Sequence, residues 1–151
     1  MKNKKIHLII YFLMSGFFLF LDQILKYIAR GNTEFSFYVW KKYLGWEYFE
    51  NSGIAFSLPF PNWLIIILTP TILFGLFYFV TRKKRQTIFY FGIFLIFAGA
   101  TSNFIDRVLF GITIDYLRIL TSVINLADVM IVVGAGMIIL NYELRIKNYE
   151  L

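Results

Sequence analysis

The chain has 151 residues, of which 59% are hydrophobic, 21% aromatic and only 16% charged, with a formal net charge of +6. Soluble domains hold ~45–50% apolar and ~25% charged residues; one this small could not hide so much apolar surface, and a disordered chain would be poor in aromatics. With no cysteine and one histidine, the composition also excludes disulfides, thiolate chemistry and two-histidine zinc sites, and the place of that histidine, His7, beside Lys4 and Lys5 near the amino terminus argues against a Ser-His dyad; what is left is an integral membrane protein.

A bilayer core ~30 Å thick takes ~20 apolar residues of helix, so long gaps between charges mark the elements. Lys2, Lys4 and Lys5 precede the uncharged run Ile6 to Leu21, which continues apolar to Ile28 with Asp22, Gln23 and Lys26 as interruptions. This predicts a first helix over about 6–28, with His7 at the membrane surface. Its basic start and apolar run resemble a signal peptide, but no small-x-small site closes it, so it is expected to be retained.

The segment over about 31–62 carries Phe35 to Trp40, then Lys41 to Gly45, then Trp46 to Phe49. Aromatic and β-branched residues around a glycine break predict short strands, with tryptophans and tyrosines suited to the headgroup level. A second helix is expected over 63–81. The basic run Arg82 to Arg85 joins it to a third over 86–105, and a shorter segment from Asp106 to Ser122, with a turn at Gly111, leads to a fourth over 123–142.

With four spans, the basic clusters at the amino terminus, at Arg82–Arg85 and at Arg145 and Lys147 fall on one side, which the positive-inside rule makes cytoplasmic. That side carries an excess of seven positive charges and the other an excess of one negative. The net charge is therefore a signal of topology, and no nucleic-acid partner is expected. The expected fold is an all-α membrane protein of four transmembrane helices with a small extracytoplasmic β-rich segment, one domain over 1–151.

Ionisable groups within spans cost ~2.5–3.5 kcal/mol on insertion scales, so each needs a reason. Asp22 and Lys26 stand at i,i+4, acid first, and can pair on one face. The plain reading is a boundary ion pair with a snorkelling lysine; the functional one is support for a polar site. Asn51-Ser-Gly53-Ile-Ala55-Phe56 is turn-like, with small residues that allow close backbone approach. Asn103 and Arg107 share a helix face at i,i+4, and Asp106 beside Arg107 is expected to form a boundary pair. Asn125 and Asp128 fit a capping box, yet Asp128 leads straight into Val-Met-Ile-Val-Val. Asp115 is an acid in an otherwise apolar stretch. Asp115 and Asp128 thus lie on short segments at the same membrane face. Two carboxylates sharing a site cannot both ionise easily, which yields one base to activate water and one acid to protonate a leaving group.

In order and spacing, Asp22-Gln23-Ile-Leu-Lys26, Asn51-Ser-Gly53-Ile-Ala55-Phe56, Asn103-Phe-Ile-Asp106-Arg107, Gly111-Ile-Thr-Ile-Asp115-Tyr116 and Asn125-Leu-Ala127-Asp128 resemble the lipoprotein signal peptidase (signal peptidase II) family. Two features depart from the family pattern: Ala98 and Ser102 stand where glycines are usual, and Tyr116 where Phe is usual. The resemblance implies a monomeric aspartyl endopeptidase of the bacterial cytoplasmic membrane, multi-pass, with both termini cytoplasmic and its site near the outer face. Its substrates would be diacylglyceryl-modified prolipoproteins, cut before the lipidated cysteine, and membrane lipid would surround it; no metal or other cofactor is implied. Carried over, Asp115 and Asp128 are the catalytic pair. Asn103 and Arg107 contact substrate, while Asn51, Gly53, Asn125, Asp22 and Lys26 hold the site together. Segment 31–62 contains the family's cradle. Two rival readings are a four-helix transporter or proton-relay subunit and an inactive peptidase-like scaffold. A relay should spread polar groups through the bilayer depth, whereas here they gather at one end of the helices.

Overall fold

The structure, a computed structural model, describes residues 2–54, 58–81 and 86–147. Ala55 and Phe56 of the turn-like motif, the Arg82–Arg85 cluster and Glu150 lie outside the described residues, as do the side chains of Lys2, Glu143, Arg145 and Lys147. Four helices, α1 (Lys2–Gly31), α2 (Asn62–Thr81), α3 (Thr87–Phe110) and α4 (Leu126–Lys147), alternate with four strands, β1 (Ser36–Trp40), β2 (Leu44–Asn51), β3 (Thr113–Ile119) and β4 (Ser122–Ile124).

Among the described residues, α1, α2 and α3 are long and apolar enough to cross a membrane, and α4 adds a shorter apolar stretch over Leu126–Tyr142. At 1.5 Å per residue the 30 residues of α1 reach about 45 Å, beyond the ~30 Å hydrocarbon core. Phe12, Leu13, Phe17 and Phe20 on α1 and Phe74 and Phe77 on α2 are all more than half exposed, the surface expected of helices facing lipid.

The closest helix pair is α3 against α4, and small residues make it possible. A Cβ on Gly92 would stand 2.7 Å from the Gly134 carbonyl oxygen, one on Gly134 2.5 Å from that of Gly92, and one on Gly99 2.5 Å from that of Ala127. Such contacts let backbones approach in lipid, where apolar burial itself does not drive association. Leu95, Ala98 and Met130 fill the space between, backed by Phe18, Leu19 and Phe91.

The segment over 31–62, where strands are expected, and the segment after Asp106, where only a turn is, form one antiparallel sheet in the order β1-β2-β3-β4. The β2–β3 pairing sets Phe49 opposite Asp115 and Asn51 opposite Thr113. Several helix boundaries also move: α1 spans Lys2–Gly31 rather than 6–28, and α4 runs past 142 to Lys147. The third helix continues five residues past Ile105 to Phe110 and ends on Gly111, whose φ of 76° is the left-handed conformation a C-terminal cap requires. The fourth begins at Leu126, because Ser122–Ile124 are taken into the sheet. A second core of Ala29, Ile114 and Tyr116, with Trp46 and Leu126 against it, fastens the sheet to α1 and α4.

Candidate active site

Asp115 lies on β3 and Asp128 in the first turn of α4; both line a cavity of about 680 Å³ together with Asn51, Asn103 and Arg107. Asn125 joins the two acids. Its side-chain amide donates to Asp115 Oδ1 at 2.6 Å, while its backbone N–H donates to Asp128 Oδ2 at 3.3 Å. Its Oδ1 accepts the Asp128 backbone N–H at 2.9 Å, so Asn125 and Asp128 form a reciprocal capping box. The capping and catalytic readings of this motif therefore do not compete: the cap is what aims the carboxylate.

The remaining carboxylate oxygens are also met by amides. Asn51 Nδ2 donates to Asp115 Oδ2 at 2.9 Å, and Asn103 Nδ2 donates to Asp128 Oδ1 at 2.9 Å. Each asparagine is oriented in turn. Gly53 N–H donates to Asn51 Oδ1 at 3.0 Å, and Lys26 Nζ donates to Asn103 Oδ1 at 2.8 Å. An asparagine whose oxygen is occupied this way must turn its NH₂ toward the acid.

Asp115 is fully buried, whereas Asp128 keeps partial exposure to the cavity. Burial, and then the neighbouring Asp128 charge, push the Asp115 carboxyl from the ordinary carboxylate range up to about 7; the Asn51 and Asn125 hydrogen bonds and Lys26 pull the other way.

Behind the acids lies a buried ionic cluster. Lys26 is 2.9 Å from Asp22 and 2.9 Å from Asp106, all three at most 1% exposed, so the lysine does not snorkel. Asp106 also accepts from Gln23 Nε2 at 3.2 Å and from the Ile114 backbone N–H at 3.1 Å. The expected boundary pair of Asp106 with Arg107 is therefore corrected. Consecutive helical residues point about 100° apart, and Arg107 faces the cavity instead, where it donates to the Gly53 carbonyl and, at 3.3 Å, to Asn62 Oδ1.

The structure thus brings together all nine site residues read from the motifs, and adds some. Ser102, fully buried, donates to Asp22 Oδ2 at 2.6 Å and accepts from Gln23 Nε2 at 2.8 Å. Tyr116 donates to Asp22 Oδ1 at 2.8 Å, and burial and the Asp22 charge hold its phenol protonated, with a raised pKa. Thr113 lies in the cavity wall, its buried hydroxyl without a partner among the described residues. Polar side chains inside apolar runs were the available signal for Gln23 and Ser102; nothing local marks Asn62 or Thr113. Among the described residues no group of three histidine, cysteine or acidic side chains is placed to hold a metal ion.

Comparison with known proteins points one way. A model of the family described as signal peptidase (SPase) II matches residues 14–144. The lipoprotein signal peptidase of Lactococcus lactis subsp. lactis (strain IL1403) is 34% identical over 120 residues, covering 77% of this chain and 78% of that protein. The lipoprotein signal peptidase of Caldanaerobacter subterraneus subsp. tengcongensis is 34% identical over 138 residues, covering 88% and 94%. A bacterial membrane enzyme structure obtained by the in meso method at 2.3 Å resolution superposes with a TM-score of 0.83 at 30% identity, covering 91% of this chain and 90% of that one.

Proposed function

The chain belongs to the signal peptidase II family and is a membrane protease that removes signal peptides from prolipoproteins, and from that premise we propose that it works as an aspartyl endopeptidase with Asp115 and Asp128 as its catalytic pair. The observation that carries this is the arrangement around Asn125, one residue bonded to both carboxylates at the wall of one cavity. Asp128 is the general base. Its carboxylate stands in the first turn of α4 and has access to water from the cavity. Asp115, sealed and raised toward neutrality, carries the proton that the departing amine receives. Asn103 and Arg107, both in the cavity wall, meet the peptide near the scissile bond.

All four helices cross the bilayer in this reading, with both termini cytoplasmic and the acids near the outer face of the bacterial membrane. A diacylglyceryl-modified precursor, cut before its lipidated cysteine, presents its scissile bond at that level. The lipid anchor supplies much of the positioning, so a monomer with a shallow site suffices. The test is gel-shift processing of a lipid-modified precursor by purified enzyme, with the unlipidated precursor as control. Rapid processing by Asp115→Asn or Asp128→Asn would defeat the aspartyl mechanism.

A further inference from the structure

We propose that Tyr116 is a positioning residue whose hydroxyl acts as a strut, setting how far the first turn of α4, and with it Asp128, stands from the strand that carries Asp115. The inference rests on the aspartyl reading above and concerns how the pair is kept at its working separation.

Tyr116 directly follows Asp115 on β3, so the two side chains leave opposite faces of the strand. Asp115 enters the cavity, while Tyr116 turns away from it, fully buried between Ala29, Ile114 and the Trp46 ring, whose centroid is 4.9 Å from its own. At the far end of this packed ring the hydroxyl meets two groups. It donates to Asp22 Oδ1 at 2.8 Å and accepts from the Leu126 backbone N–H at 3.1 Å. A phenol has one proton, and the carboxylate can only accept, so the lone pair left for Leu126 has a fixed direction.

Leu126 is the first residue of α4. The opening N–H groups of a helix have no partner within it, and here they are filled in sequence from outside. Leu126 N–H goes to Tyr116, Ala127 N–H to Asp22 Oδ1 at 3.2 Å, and Asp128 N–H to Asn125 Oδ1 at 2.9 Å. Asp22 is itself held by Lys26 at 2.9 Å and by Ser102 at 2.6 Å, so the far anchor does not give. The distance from the β3 backbone to the start of α4 is therefore bridged by one rigid ring plus one hydrogen bond. Asn125 spans the same gap on the cavity side, but it touches both acids directly. Tyr116 touches neither and is not in the cavity wall, so it acts on them through position alone.

Tyr116→Phe keeps the ring and removes the strut. A misplacement of about 1 Å can cost up to about 10²-fold in rate, and the lost contact is one of several here, so kcat should fall about tenfold with KM unchanged. The alkaline limb of the pH–rate profile should move to lower pH, because Asp115 feels less of a more distant Asp128. The other charged groups around the pair, Lys26 and Asp22 on α1 and Asp106 and Arg107 on α3, are the same in both proteins. Tyr38→Phe, which removes a sheet hydroxyl that donates to Glu47 at 2.6 Å, serves as control and should leave rate and profile as they were. The measurement is steady-state processing of a lipidated precursor between pH 5 and 9, per folded enzyme, with Asp115→Asn and Asp128→Asn alongside. If the Asn variants are inactive while Tyr116→Phe keeps the wild-type kcat and alkaline limb, the strut is overturned and the catalytic pair stands. A lowered melting temperature with those two quantities unchanged overturns it equally, since the hydroxyl would then serve the fold alone. Activity in either Asn variant removes the pair and the strut together.

Discussion

At the site end of the bundle, Asp22, Lys26, Ser102 and Asp106 are all at most 1% exposed, and each is bonded to a residue of another element. Further along, α3 and α4 meet through the bare backbones of Gly92 and Gly134. Both regions hold helices together in surroundings where burying apolar surface contributes little to association. Hydrogen bonds and charges at the first fix orientation; small residues at the second fix distance. The first should therefore tolerate changes of volume better than changes of chemistry, and the second the reverse.

The sharpest break belongs to the acids. Asp115→Asn and Asp128→Asn are nearly isosteric and should each lower processing about 10³-fold while leaving the melting temperature close to the parent. The double variant should be little worse than either, because members of a catalytic unit are not additive. Next comes Lys26→Ala, which leaves Asp22 and Asp106 buried without their shared cation. Removing one partner of a buried ion pair costs about 3–5 kcal/mol, so stability and activity should fall together without abolishing cleavage. Complete loss of turnover in well-folded Lys26→Ala protein would instead give Lys26 a direct role.

At the packing end, Gly134→Leu drives a side chain toward the Gly92 carbonyl, against a Cβ contact already at 2.5 Å. Overpacking of this kind typically costs about 1–3 kcal/mol, read as a lower melting temperature in detergent with kcat per folded molecule preserved. A pH titration tests the site end more gently. The Asp115 carboxyl is raised to about 7 by burial and by Asp128, so the singly protonated pair should be lost, and processing should decline, as pH rises through 7. The same raised value means that the contribution of Asp115 to stability is complete below the ordinary carboxylate range and disappears as pH climbs through 7. The smallest effect is expected on α2. A Cβ at Gly75 meets nothing within 4 Å, so Gly75→Ala should cost no stability and should raise it slightly, by at most about 1 kcal/mol.

Much of the site was legible in the chain because its residues are polar or charged groups that an apolar segment has no other reason to carry. Asp115, Asp128, Asn51, Asn103 and Asn125, each singled out on that ground, stand together in the structure. What escaped was non-local. Strand β3 pairs with β2 across more than sixty positions, as in Asn51 with Thr113, and no local pattern reveals that two separate loops share a sheet. Charge gaps also ended the third helix too early. Asp106 and Arg107 look like a boundary, but their partners come from α1, β3 and the loop at Gly53, which lets the helix run on to Phe110. The roles of Ser102 and Tyr116 depend on that same convergence around Asp22, which spacing along the chain does not encode.

The buried ionic cluster also implies an order of events during biogenesis. Asp22 and Lys26 lie one turn apart on α1, 2.9 Å from each other, so this helix can enter the bilayer first with its two charges already neutralising one another. Asp106 has no such local remedy. Among the described residues its hydrogen-bond and ion-pair partners are Lys26 and Gln23 on α1 and the Ile114 N–H on β3, none of them on its own helix. A buried carboxylate left without its partner costs about 3–5 kcal/mol, so α3 should pack stably only once α1 is in place beside it. The lysine that orients Asn103 in the finished enzyme is thus also the berth that receives the third helix during assembly.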